Sequence, residues 1–250
     1  MKALRSSNPA LTGNIFEKAG TAPAGSSVMT INGSLNKIGL MLLLVIAAAA
    51  YTWNLVMGAD PGRAGTLAMV GGIGGFIVAL VTIFRPQSSA ITAPIYAILE
   101  GLFLGAISAI INTQYPGVAF QAVLLTIGTL FTMLFLYRSG TIRATPRFRR
   151  GVMMATGAIF FAYLISWIMG LLGMPIGFMT SAGPIGILVN IVILVIAALN
   201  LIMDFDFIEK GSRMGAPKYM EWYGAFGLMV TLIWLYLEFL RLLSRFSSRN

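Results

Sequence analysis

The sequence predicts an all-α polytopic membrane protein, with seven transmembrane helices in a single bundle. Three observations predict it. Hydrophobic residues fill 58% of the 250 positions and charged residues only 10%, whereas an ordinary soluble domain carries about 25% charged residues. Uncharged apolar runs recur along the chain, each near the ~20 residues that a helix needs to cross a hydrocarbon core. The runs are continuous rather than alternating, which excludes the strands of a membrane barrel.

The spans follow in order. Residues 1–36 are rich in Ser, Gly, Thr and Asn; they lack the basic start, apolar core and cleavage site of a signal peptide and read as a flexible cytoplasmic tail. The seven-helix domain occupies 37–244. Ile38 to Met57 is the first span. Ala64 to Phe84 is the second, stopped by Arg85-Pro86. The third runs from about Thr92 to Ile111 and carries Glu100. Asn112, Gln114, Pro116 and Gly117 break the next uncharged stretch, so the fourth begins near Val118 and ends at Tyr137. After a loop with Arg138, Arg143, Arg147, Arg149 and Arg150, the fifth covers 151–171 and the sixth 184–206, with a turn around Gly173, Pro175, Gly177 and Ser181. The seventh covers 221–243, leaving 245–250 as a short tail. The chain shows no repeat of 20–50 residues and no separate soluble domain.

Lys and Arg set the orientation. Thirteen lie in the N-terminal tail and the even-numbered loops, and four (Arg63, Arg241, Arg245, Arg249) on the other side. The N-terminus is therefore expected in the cytoplasm, with the protein multi-pass in a cell inner (plasma) membrane. The last three arginines fit this poorly, and a final helix that stops short of crossing would suit them better.

The composition also narrows the chemistry. There is no Cys and no His among the 250 residues, which removes thiol nucleophiles, Cys-ligated metals and the usual general base. An enzyme is not expected, nor a cofactor. The net charge of +9 resides in loops between spans, so it reads as topology and contact with the lipid bilayer, not as a nucleic-acid surface.

Carboxylates inside apolar runs are the informative residues, since a charge at the bilayer centre costs about 2.5–3.5 kcal/mol on insertion scales and normally faces a bundle interior. Asp204 ends the sixth span, with Asn200 one turn before it on the same face. Glu238 lies in the seventh, with Arg241 three residues on as a possible surface partner. Glu100, at the head of the Gly101-xxx-Gly105 pattern, is a candidate for lining an aqueous cavity. Asp60, Asp206 and Glu209 read as solvated ends. A simple hairpin turning near 211–217 puts Gly224 level with Asp204 and leaves Glu238 roughly 20 Å away; in that register Glu221 is the neighbour of Asp204 and Asp206.

Asp204-Phe205 followed by Ile208, the loop Gly215-Ala216-Pro217-Lys218-Tyr219-Met220-Glu221-Trp222-Tyr223, and Leu235-Tyr236-Leu237-Glu238-Phe239 resemble the Bax inhibitor (transmembrane Bax inhibitor motif) family, in a bacterial subgroup. The resemblance implies a carboxyl–carboxylate pair on the last two helices that closes a calcium-permeable path and responds to pH. By motif the pair falls on Asp204 and Glu238, the latter where better-known members have Asp, and Arg85 takes the place of the basic residue that competes for the first acid. Two carboxylates in contact share a proton; once ionised they repel and attract a hard cation such as calcium, which makes Asp204 and Glu238 the candidate metal ligands. The expected function is a pH-sensitive cation channel or leak, with calcium as the transported ion. A proton-coupled cation antiporter and a non-transporting regulator that binds a membrane protease are the alternatives.

Overall fold

A computed structural model describes residues 27–58, 60–174 and 183–248. Most of the expected N-terminal tail, including Glu17, lies outside the described residues, as do Pro175, Gly177 and Ser181 of the fifth loop and Arg249. Among the described residues, seven helices are long and apolar enough to cross a membrane. They are α1 Ile31–Met57, α2 Pro61–Phe84, α3 Ser89–Gln114, α4 Val118–Arg138, α5 Pro146–Leu171, α6 Pro184–Arg213 and α7 Met220–Ser247, with a short 3-10 turn at Pro86–Ser88.

Local chemistry sets most of the boundaries. Thr30, Asp60 and Thr145 cap α1, α2 and α5, their side chains accepting from the backbone N–H three residues on. Pro61, Pro146 and Pro184 open their helices, where a missing N–H is harmless. Arg85 precedes Pro86 and leaves the helical region, ending α2. Gly117 turns the chain from α3 into α4 at φ 87°, a value that favours glycine.

Three helices extend beyond the apolar runs. The first begins at Ile31 rather than Ile38, α5 at Pro146 rather than Gly151, and α6 continues to Arg213. These polar extensions find partners on neighbouring helices, Lys37 with Glu221 of α7 and Arg149 with Asp206 of α6. Met29 and Val28 pair with Ala216 and Pro217 in the α6–α7 loop, which ties the entry of α1 to the last hairpin. α7 runs the length of the bundle and is long and apolar enough to cross a membrane. Glu221 near its start binds Thr30 at the entry of α1, and Arg245 near its end donates to the Gly186 carbonyl at the start of α6.

The bundle is built around α7, which packs on α6, α1, α4 and α3. A second cohesive unit is α1–α2–α3, where glycines admit neighbouring backbones. A Cβ at Gly101 would stand 2.6 Å from the Val45 carbonyl oxygen, and Gly71 and Gly105 sit equally close to the backbones of α3 and α1. By contrast α5 packs closely on α6 alone, and Val152 is its one buried residue.

Candidate functional site

The acidic residues fall into three places. At the basic end, Glu221 is fully buried and accepts from the Thr30 backbone N–H (2.9 Å), the Thr30 hydroxyl (2.9 Å), Lys218 Nζ (2.8 Å) and Lys37 Nζ. A Cβ at Gly33 would fall inside its carboxyl group. This is a carboxylate seated on a helix N-terminus between two ammonium groups, where dipole and charge both favour it. Glu221 is thus occupied by α1 and is not the partner expected for Asp206.

Close by, Asp206 pairs with Arg149 of α5 and with Lys210 one turn on (2.8 Å), while Glu209 accepts from Tyr137 of α4 and Arg213. The expectation that Asp206 and Glu209 are merely solvated is corrected. Asp206 is only part-exposed, and both acids fasten neighbouring helices to α6.

At the opposite end, Glu238 is 1% exposed. Its Oε1 accepts from the Tyr163 hydroxyl (2.6 Å) and Arg241 (2.8 Å), and its Oε2 from Asn190 Nδ2 (2.7 Å). The Arg241 guanidinium also lies 5.1 Å from the centre of the Tyr163 ring. The i+3 partner read from the sequence is present, but as part of a buried cluster instead of a surface pair.

Asp204 stands elsewhere, fully buried on the inward face of α6. Glu238 is bonded to Asn190, fourteen residues back along α6, so at 1.5 Å per residue the two carboxylates lie about 21 Å apart along the helix. The expected Asp204–Glu238 pair does not form. The simple hairpin register holds instead: a Cβ at Gly224 would meet Ile208 at 3.0 Å, which places Asp204 about one turn deeper, level with Gly224 to Leu228. No second carboxylate occurs at that level of α7. Arg85 does not reach Asp204 either. It is an exposed residue at the end of α2 and makes no ion pair among the described residues. A joint Asp204–Glu238 metal site is excluded by the same separation.

Asn200, one turn before Asp204, donates to the Thr156 hydroxyl of α5 at 2.9 Å. Glu100 is half-buried and lies against Gly75 at the α2–α3 contact, where a Cβ would come within 2.8 Å of its carboxyl oxygen. It does not border the cavity of about 660 Å³ between α1, α3, α4 and α7, whose walls include Val45, Trp53, Leu104, Phe120 and Tyr236 and no carboxylate. Thr231 donates to the carbonyl of Gly227 on its own helix. Among the described residues no cluster of three His, Cys, Asp or Glu is arranged to hold a metal.

Sequence reasoning missed Thr30 and Lys37 around Glu221, and Arg149, Thr156 and Tyr163 on α5. The α5 set carries a legible signal, three polar residues spaced by seven.

A family model described as Bax inhibitor 1 like matches residues 8–248. No curated protein matches the chain, and no solved structure matches it.

Proposed function

We propose, from the premise that this chain belongs to the Bax inhibitor 1 like family, that it is a pH-responsive cation channel or leak of an inner membrane, with the N-terminus and the basic end in the cytoplasm and calcium as the leading cargo. The observation that carries the reading is Asp204, a fully buried carboxyl group on an apolar helix, farther along α6 from the basic end than Asp206 and Glu209. An ionisable group held away from water makes the packing of its helix depend on its protonation state. A carboxylate is also the ligand type that hard divalent cations select. The gate in this reading is Asp204 with its α6 and α7 surroundings, without Glu238 or Arg85 as partners.

Calcium flux into dye-loaded liposomes, followed across pH, tests it. Asp204→Asn keeps the size and removes the titration, so it is expected to conduct without the pH response of the parent. An unchanged pH response in that variant places the gate elsewhere. If the parent itself shows no flux in tight liposomes, conduction fails, and a membrane protease co-purifying with the chain would support the regulator in its place.

A further inference from the structure

The helix least committed to the bundle presents the most regular polar face. Arg149, Thr156 and Tyr163 are seven residues apart on α5, two turns each, so they stand nearly in line along about 21 Å of helix. Each meets a polar group across one seam. Arg149 pairs with Asp206, Thr156 accepts from Asn200, and Tyr163 donates to Glu238, which Asn190 also holds. Asn200 and Asp204, one turn apart on α6, continue the polar face toward the basic end. The seam therefore runs from one end of the bundle to the other, with a carboxylate near each end.

The two sides of the molecule differ in what parting them would cost. In α1–α2–α3, glycines bring backbone against backbone, and separation would forfeit that close packing along the helices. Along α5 the apolar side chains already face outward, as with Met154, Phe160, Phe161 and Trp167, and lipid replaces apolar neighbours at little cost. What holds α5 is its hydrogen bonds and ion pairs, which water can exchange for its own at a small net cost each.

We propose that the seam between α5 and the α6–α7 pair is the cation route, and that Glu238, with the Asn190 side-chain oxygen and the Tyr163 hydroxyl, forms an oxygen-lined cation site at the end opposite Asp204. Asn190 Oδ1 is buried with no hydrogen-bond partner, on the same amide whose Nδ2 donates to the Glu238 carboxyl group. Hard cations take carboxylate and amide oxygens together. In the closed state the site is filled by the chain's own cation, the Arg241 guanidinium, whose side chain is 41% exposed and so reachable from outside. Arg241 acts as a tethered plug that an incoming cation displaces when α5 moves away.

This inference rests on the conduction reading, and its test separates the two. The chain has no cysteine, so thiols are introduced without background. Thr156→Cys with Asn200→Cys, joined by a short bis-methanethiosulfonate, ties the seam shut. Thr82→Cys with Thr92→Cys, whose native hydroxyls are 2.8 Å apart between α2 and α3, is the control. In liposomes the reduced form of each double variant sets the reference calcium flux for its own cross-linked form. Cross-linking the seam abolishes the flux until reductant restores it, and cross-linking the control pair leaves it unchanged. A second seam pair, Arg149→Cys with Asp206→Cys and a longer linker, repeats the measurement if the first pair harms folding. Undiminished flux through a cross-linked seam overturns the route and leaves conduction standing; absence of flux in the parent removes both. For the plug, Arg241→Gln raises calcium flux above the parent and Arg241→Lys does not. Equal flux in the parent and Arg241→Gln overturns the assignment of Arg241.

Discussion

Glu221 and Glu238 sit on the same helix, both withdrawn from solvent and each bonded to a cationic side chain, yet they do different things. Seventeen residues apart, they are separated by about 26 Å along α7, close to the ~30 Å thickness of a hydrocarbon core. Glu221 binds the entry of α1, a helix fixed to α3 by backbone contact through Gly101 and Gly105. Glu238 binds Tyr163 of α5, a helix fixed to little else. One carboxylate joins helices that are already closely packed, and the other holds a helix with few other contacts. What a buried acid in a membrane helix fastens therefore depends on how its partners are packed, and charge and depth alone do not tell the two cases apart.

The sharpest way to break this comparison is at Glu221. Glu221→Ala leaves Lys37 beside an emptied buried position and frees two Thr30 donors, so a loss of about 3–5 kcal/mol is expected. It would be read as a large fall in the thermal unfolding midpoint in detergent. Gly33→Ala should be similarly damaging without touching any charge, because its methyl group would occupy the space of the Glu221 carboxyl. If both variants unfold like the parent, the α1 entry is not a fixed anchor and the contrast with α5 disappears.

This part of the molecule shows where the sequence can be read and where it cannot. The seven spans are legible because lipid imposes length and apolarity, and Pro, Gly and Arg mark their ends. The start of α1 is not: Asn32, Gly33, Ser34 and Lys37 look like tail because hydropathy cannot register a helical turn that faces another polar segment. Thr145-Pro146, a cap followed by a first-turn proline, marks the start of α5 ahead of the apolar run, a signal that hydropathy alone passes over. At the site, register arithmetic and motif resemblance disagreed. The hairpin placed Gly224 near the level of Asp204, and Gly224 does pack near Ile208. The motif instead carried the second acid onto Glu238, the one acidic residue in the body of α7, which lies level with Asn190. Spacing along helices was the better guide, because 1.5 Å per residue is fixed by the backbone whereas an acidic residue can serve either end. Of the partners of Glu238, Arg241 was legible from its i+3 spacing; Tyr163 and Asn190 were not, since a polar repeat on α5 does not say which helices it faces.

Tyr163→Phe sharpens the comparison at the other end. It deletes one hydroxyl from Glu238 and keeps the ring beneath Arg241, so the lost bond to a charged acceptor is worth about 1.5–3 kcal/mol. The effect should be local. Backbone hydrogen exchange is expected to rise along α5 while α1, α2 and α3 keep the protection of the parent. Exchange rising equally in all seven helices would mean that α5 is as integral to the bundle as the others.

The smallest effect belongs to Arg213, which pairs with Glu209 one turn earlier on α6 with its own side chain 75% exposed. Arg213→Ala removes a charge pair of the same nominal kind as Lys37–Glu221, on the same end of the bundle. Here the cation is hydrated before and after, and Glu209 still accepts from Tyr137, so no buried charge is stranded. The expected cost is about 0.2–1 kcal/mol, shrinking further as salt is added, and the unfolding midpoint should barely move. Measured beside Glu221→Ala under the same detergent and salt, it isolates the variable that matters. If the two substitutions proved equally costly, the stability of this end would follow the number of charge pairs, and the burial that sets Glu221 apart would have no energetic meaning.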